Sequence, residues 1–334
     1  MDMDKKKKIL FINFGGLGDE ILFLPTIQAV KKEFPNSEIT LALEERSKGV
    51  VQLTDVIDKT LFANIKGKTK YSELFKLLVK IWCSNFDIVI SSGSNKFISI
   101  FLFLTFIKEK YGYNSGKLSE KLLTKAVKLN KNQYAGNMYF DLVKYVTNKE
   151  FKLPILSIEK KPIIANSILI HPGVSKVSVE KGMIKTITAE KWAEVIEKLA
   201  DNGKRVYLVG GPDDKECIEK IVEKVSCEKF ENLYGTTKSL KELAELISSA
   251  EIFLCSDSAP LHIAVALGVK TYAIFGSTDD KKLIPENKNV FAIKTDCDCP
   301  LKPCLWEKRQ TTCEEVSCLD FSINQIVNVV LDIA

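Results

Sequence analysis

Short apolar runs alternate with helical periods along most of this chain, the pattern of an α/β protein with parallel sheets. Residues 9–13 read as a first strand, followed by Gly15, Gly16 and Gly18. From about 19 to 34, Ile21, Leu24, Ile27, Val30 and Phe34 recur at helical spacing, and Pro35-Asn36 closes that helix. The pattern then predicts a strand over 39–43, a short helix or strand over 55–61, an amphipathic helix over 71–82 and a strand over 87–91. A second series begins near 165. Strands predicted over 167–171, 205–209, 252–256 and 271–275 interleave with helices over 188–202, 213–225, 239–249 and 260–267, and a helix over 323–331 ends the series.

This arrangement predicts two doubly wound, Rossmann-like domains, 1–160 and 161–334, with Pro154 and Pro162 marking a linker around 150–165. A terminal helix at about 322–333 is long enough to return toward the first domain. The 334 residues suit two domains of ~100–200 residues each. A chain 46% hydrophobic and 27% charged is globular, which excludes disordered and collagen-like classes. Nowhere do ~18 uncharged apolar residues run together, so no transmembrane span is predicted. The lysines before residue 9 precede a strand rather than a signal peptide, so a cytoplasmic location is expected. Residues 97–107, FISIFLFLTFI, are apolar on every side. They read as a buried helix or, beside Lys96, Lys108 and Lys110, as a helix in the interface of a membrane. Residues 1–160 carry 26 Lys+Arg against 17 Asp+Glu, and the remainder 22 against 26. A basic first half fits an anionic partner or, equally, a solvated lysine surface.

Chemistry concentrates where strands give way to glycine loops: FGGLGDEILFLP at 14–25, LIHPGVS at 169–175, LVGGPDD at 208–214 and CSDSAPLHIAVALG at 255–268. Such junctions open on the carboxyl edge of a parallel sheet and offer N–H groups suited to a diphosphate. The first lacks the G-x-G-x-x-G spacing of a dinucleotide site. Asp19 is either a helix N-cap or a carboxylate at a ligand edge. With only His171 and His262 in the chain, a histidine cluster is excluded. Five cysteines, Cys297, Cys299, Cys304, Cys313 and Cys318, crowd the tail. Four thiolates can hold a structural zinc or iron, whereas free thiols along a surface loop fit the spacing as well.

Over nearly its whole length the sequence resembles glycosyltransferase family 9, the ADP-heptose:lipopolysaccharide heptosyltransferases. The segments that carry it are GGLGDEILFLPTIQAVKKEFP, IHPGVS, VGGPDD and SDSAPLHIAVALGVKTYAIFGSTD. The resemblance implies a GT-B fold, two Rossmann-like domains facing a central cleft, with the acceptor on the first and a nucleotide-sugar on the second. It implies inverting transfer that requires no cofactor or metal, from a donor such as ADP-heptose to a glycolipid or lipopolysaccharide-core acceptor at the inner membrane surface. Nucleic acid is not an implied partner. Asp19 matches the family's catalytic base, in a loop with Gly16 and Gly18. Asp257, Ser258, Ala259 and His262 match the donor segment, where Ala259 replaces the usual glycine. Ser175 matches a hydroxyl near the diphosphate and Asp214 an acidic position at the ribose. Lys185, counted back from Trp192, matches the phosphate lysine, with Lys181 as competitor. Another nucleotide-sugar or a protein acceptor, a nucleotide-sugar epimerase, and a non-catalytic binding module are the alternatives.

Overall fold

The computed structural model describes residues 6–305, 313 and 316–333. Two compact units meet in sequence between Ser157 and Ile158. The first contains strands β1 (Lys8–Ile12), β2 (Glu38–Leu43), β3 (Lys59–Phe62), β4 (Ile88–Ser91), β5 (Glu109–Tyr113) and β6 (Lys125–Val127). All pair in parallel in the order β3-β2-β1-β4-β5-β6. The second unit contains β7 (Ile164–His171), β8 (Arg205–Leu208), β9 (Phe230–Asn232), β10 (Ala250–Ser256), β11 (Lys270–Ile274) and β12 (Val290–Ile293). Its parallel order, β9-β8-β7-β10-β11-β12, repeats the first. Each sheet reverses direction beside its first strand, between β1 and β4 and between β7 and β10. Open α/β sheets place their ligands at the carboxyl side of that reversal.

The central strands are apolar because helices cover both faces. Ile9, Leu10, Phe11, Ile168, Ile170, Phe253 and Leu254 have essentially no exposed surface. In the second unit, helices Ala189–Asp201 and Ile323–Leu331 place Trp192, Val195, Leu199, Ile326 and Val330 in one core with the sheet. The terminal helix is thus bound into the second unit's own core.

The choice left open at 55–61 falls to a strand, and the buried helix expected over 97–107 needs correction. The segment 55–61 contributes the strand β3, which carries Thr60 and Leu61 onto the edge beside β2. The apolar run after residue 96 forms the helix Lys96–Leu104, yet it is not a buried helix. Only Ser99, Phe101 and Leu102 are buried, while Phe97, Ile100, Phe103 and Leu104 lie on the surface. One short helix has a single face to give to a sheet, so a stripe that is apolar all round leaves its other side uncovered.

Candidate active site

In the first unit the chain leaves β1 at Asn13 and enters the helix Leu17–Glu33 through Gly15 and Gly16. Gly16 is the N-cap, so Asp19 is the third residue of the helix and not the cap itself. Its carboxylate turns back, and Oδ2 accepts the Gly16 N–H at 2.8 Å. That fold-back needs a glycine at 15, because a Cβ there would lie 2.3 Å from the Asp19 Cβ. The other oxygen, Oδ1, accepts the Tyr139 hydroxyl at 3.0 Å. Tyr139 is buried, packed edge-on against Phe23 at 5.5 Å, and burial followed by the Asp19 charge holds its phenol well above the usual range. A phenol so held donates and does not ionise. Gly18, in the first helical turn, lies within the same loop-to-helix junction, while the Gly16 N–H is already taken by Asp19.

Charge surrounds this carboxylate. Glu20 is 1% exposed, and burial, then the Asp19 charge, raises its carboxyl well above the ordinary value, favouring the neutral acid. Glu44, also buried, binds Arg46 Nε at 2.6 Å and Lys66 Nζ at 3.4 Å. Both cations reach the glycine loop: Arg46 donates to the Gly15 carbonyl at 3.3 Å and Lys66 to the Phe14 carbonyl at 2.9 Å. Burial, then Arg46, lowers the Lys66 ammonium below its usual value. The sequence pattern singled out none of Tyr139, Glu20, Arg46 and Lys66. Only the GDE step placed Glu20 beside Asp19, and nothing local connects Tyr139 to it across 120 residues.

In the second unit, Lys185 and Asp257 come together. Lys185 Nζ lies 2.8 Å from Asp257 Oδ2, with side chains 19% and 4% exposed. Burial by itself would raise the Asp257 carboxyl. The Lys185 ammonium, helped by His262 and Thr278, outweighs it and holds the acid below its ordinary value. Lys181 follows the short helix Lys176–Glu180 and is exposed. Lys185 is held from both flanks. Thr186 accepts from Trp192 Nε1 at 2.9 Å and donates to the Pro172 carbonyl at 2.7 Å, and Ser277 donates to the Ile184 carbonyl at 2.7 Å. Thr186 and Ser277 were not legible as site residues, since each acts only through its neighbour.

Ser258 caps the helix Ala259–Leu267, on which His262 is buried. Its Oγ is 3.4 Å from His171 Nδ1. The His171 Nε2 is 3.3 Å from Asp214 Oδ2, which also accepts the Gly211 N–H at 2.8 Å. Asp214 is 6% exposed, and a Cβ at Gly173 would fall 1.8 Å from its Oδ1. Asp214 therefore clasps the loops after β7 and β8 together. Ser175 is exposed and accepts the Ser178 N–H at 3.3 Å as cap of the helix Lys176–Glu180. Of the tail cysteines, Cys299, Cys304, Cys313 and Cys318 line one small cavity, while Cys297 lies 3.8 Å from Lys302 Nζ. Among the described residues no three His, Cys, Asp or Glu side chains converge to hold a metal ion.

The model of glycosyltransferase family 9 (heptosyltransferase) matches residues 74–313. Lipopolysaccharide heptosyltransferase 3 of Escherichia coli K12 is 22% identical over 294 residues, 82% of this chain and 83% of its own. A family 9 glycosyl transferase from Veillonella parvula superposes with a TM-score of 0.76 at 22% identity, covering 100% of this chain and 98% of its own. The E. coli heptosyltransferase WaaC with ADP-2-deoxy-2-fluoro heptose gives 0.72 at 17% identity, covering 98% and 100%. These likenesses establish the GT-B fold, two Rossmann-like units in one chain.

Proposed function

The chain belongs to glycosyltransferase family 9 and is a sugar-transferring enzyme, and from that premise we propose that it moves a heptose from ADP-heptose onto a lipopolysaccharide-type or other lipid-linked acceptor. Transfer is inverting, needs no metal, and takes place on the cytoplasmic side of the membrane that carries the acceptor. The observation that carries this reading is Asp19, a carboxylate at the carboxyl edge of the first sheet, aimed by the Gly16 N–H and the Tyr139 hydroxyl.

A sugar hydroxyl attacks poorly unless its proton is taken as the new bond forms. Asp19 accepts that proton while the acceptor oxygen bonds to the anomeric carbon and the carbon–oxygen bond to the diphosphate breaks on the opposite face. One carboxylate suffices for such a displacement. Arg46 and Lys66 give the first unit a cationic rim for an anionic acceptor. The departing nucleoside diphosphate gains negative charge, which Lys185, the Ser175 and Ser258 hydroxyls and the N-terminus of the helix Ala259–Leu267 stabilise. Asp257 and His262 position that lysine and the donor sugar, Asp214 keeps the donor loops in register, and the 1–160 and 161–334 regions serve acceptor and donor. A structural metal at the cysteine tail is not part of this reaction.

Asp19→Asn is the test. It keeps the acceptor atom for the Gly16 N–H but removes the base, so transfer should fall by ~10²–10⁴ with donor affinity within a few-fold. Full turnover by this variant would return Asp19 to a purely structural part. Thermal-shift screening with ADP-, GDP- and UDP-sugars, followed by mass spectrometry of products on lipid and protein acceptors, identifies the donor and acceptor. A strict requirement for a divalent metal, read as abolition by EDTA, would overturn the metal-free step.

A further inference from the structure

On the first unit, two neighbouring helices leave their outer faces apolar. Tyr71, Phe75, Val79 and Trp82 form one stripe along the helix Lys70–Trp82, and Tyr71 and Phe75 are 80% and 60% exposed. Phe97, Ile100 and Leu104 form a second along Lys96–Leu104, with Phe97 70% exposed. The stripes meet where Trp82 stacks on Phe106, ring centres 6.1 Å apart, and donates its indole N–H to the Leu104 carbonyl at 2.8 Å. With that N–H satisfied, what Trp82 shows outward is apolar ring. The opposite sides of both helices, through Leu77, Leu78, Ile81, Phe101 and Leu102, are committed to the core.

Of 21 large hydrophobic side chains exposed among the described residues, nine lie between Tyr71 and Phe106. That concentration is a patch and not ordinary surface scatter. Its charge is equally one-sided: residues 65–108 hold seven lysines and no arginine against Glu73 and Asp87. Lys96 and Lys108 bracket the second stripe, and Lys70, Lys76 and Lys80 accompany the first. Aromatic rings beside lysines complement an anionic lipid interface, where rings enter the headgroup–acyl boundary and ammonium groups meet phosphates. In a parallel α/β unit both helices start at the carboxyl edge of the sheet, the edge that carries Asp19, so Tyr71 and Phe97 lie toward that edge and the Trp82–Phe106 junction toward the other.

We propose that this two-helix face docks the enzyme onto a bilayer rich in anionic phospholipid. The inference deepens the transfer to a lipid-linked acceptor proposed above, and rests on that reading only for its use. It is tested on the full chain by co-sedimentation with phosphatidylcholine vesicles lacking or containing about 30% phosphatidylglycerol. Binding should be at least about ten-fold stronger with phosphatidylglycerol and weaken with salt. Phe75→Ser/Phe97→Ser should lose at least about ten-fold of it, with circular dichroism and melting unchanged because both side chains lie mostly in solvent. Lys96→Glu/Lys108→Glu should abolish the lipid preference.

Absence of vesicle binding by the wild type overturns the proposal, as does equal binding by the Phe variant. So does a wild-type dimer in sedimentation velocity that the Phe variant loses, since the face would then be covered by a second copy. Transfer to a soluble acceptor fragment is measured alongside. Vesicle binding without any transferase activity upholds the docking face and defeats the catalytic reading, and the reverse result does the opposite.

Discussion

Replacing Lys185 by Met removes the cation from a buried carboxylate while keeping the bulk of the side chain. Taking one partner from a buried ion pair costs ~3–5 kcal/mol, because the charge left behind is neither hydrated nor paired. Lys185 is 19% exposed, so water can reach part of the vacated space, and about 2–3 kcal/mol is the expected loss at neutral pH. In a unit of this size each kcal/mol moves the melting temperature by ~2–4 °C, which predicts a fall of roughly 4–12 °C. The pH dependence has a definite sign. Asp257 is held below its unfolded value, so the pair's contribution is present above the ordinary carboxylate pKa of ~3.9 and is lost as pH falls through the native value. Without Lys185, burial is left to push the same acid upward. The gap between wild type and variant should therefore be widest at neutral pH and close as the solution is acidified. Lys185→Met/Asp257→Asn, which removes the stranded charge as well, should regain most of the loss. Thermal and urea melts of the wild type, both single variants and the double variant complete the cycle. A Lys185→Met protein within about 0.5 kcal/mol of wild type, or a double variant no more stable than it, would refute the argument that this pair is held by charge.

Tyr139→Phe removes the hydroxyl aimed at Asp19 without opening a cavity. Its kcat should drop several-fold with the acceptor KM nearly unchanged, while urea melts move by about 1 kcal/mol. Equal loss in both kinetic parameters would mark a wholly structural tyrosine. Gly173→Ala drives a methyl group to 1.8 Å from the Asp214 carboxylate and must break the clasp with His171 and Gly211. It should destabilise by more than about 2 kcal/mol and weaken donor binding in calorimetry, whereas a silent variant would show that the loops shift freely.

The interior strands were legible because burial on both faces writes an uninterrupted apolar run, as in Ile9–Ile12 or Ile252–Cys255. The pattern did not show β5, β6, β9 or β12. The first three read EKYGY, KAV and FEN, and β6, β9 and β12 lie at sheet edges, where one side needs no apolar partner. Composition left the helix Lys96–Leu104 between two readings, of which the buried one fails, because an apolar run reports that a surface avoids water and leaves open whether protein or something else covers it. At the site, Asp19, Lys185 and Asp257 stood in motifs. Tyr139 and Thr186 did not, since each contributes through one contact to a residue that only the fold brings near.

The shared strand order of the two sheets carries a consequence for how such an enzyme can be altered. Each unit holds its own core and its own reversal point, and each set of site side chains hangs from loops that follow its own strands. The contacts that hold Asp19, Arg46 and Lys66 come from loops of the first unit, and those that hold Lys185, Asp257 and Asp214 from loops of the second. On the assignment of acceptor to one unit and donor to the other, the recipient of the sugar can be changed by rewriting the loops after β1 to β3, with the nucleotide pocket left intact. The joint near Ser157 is then a natural seam for building chimeras that pair an old donor with a new recipient.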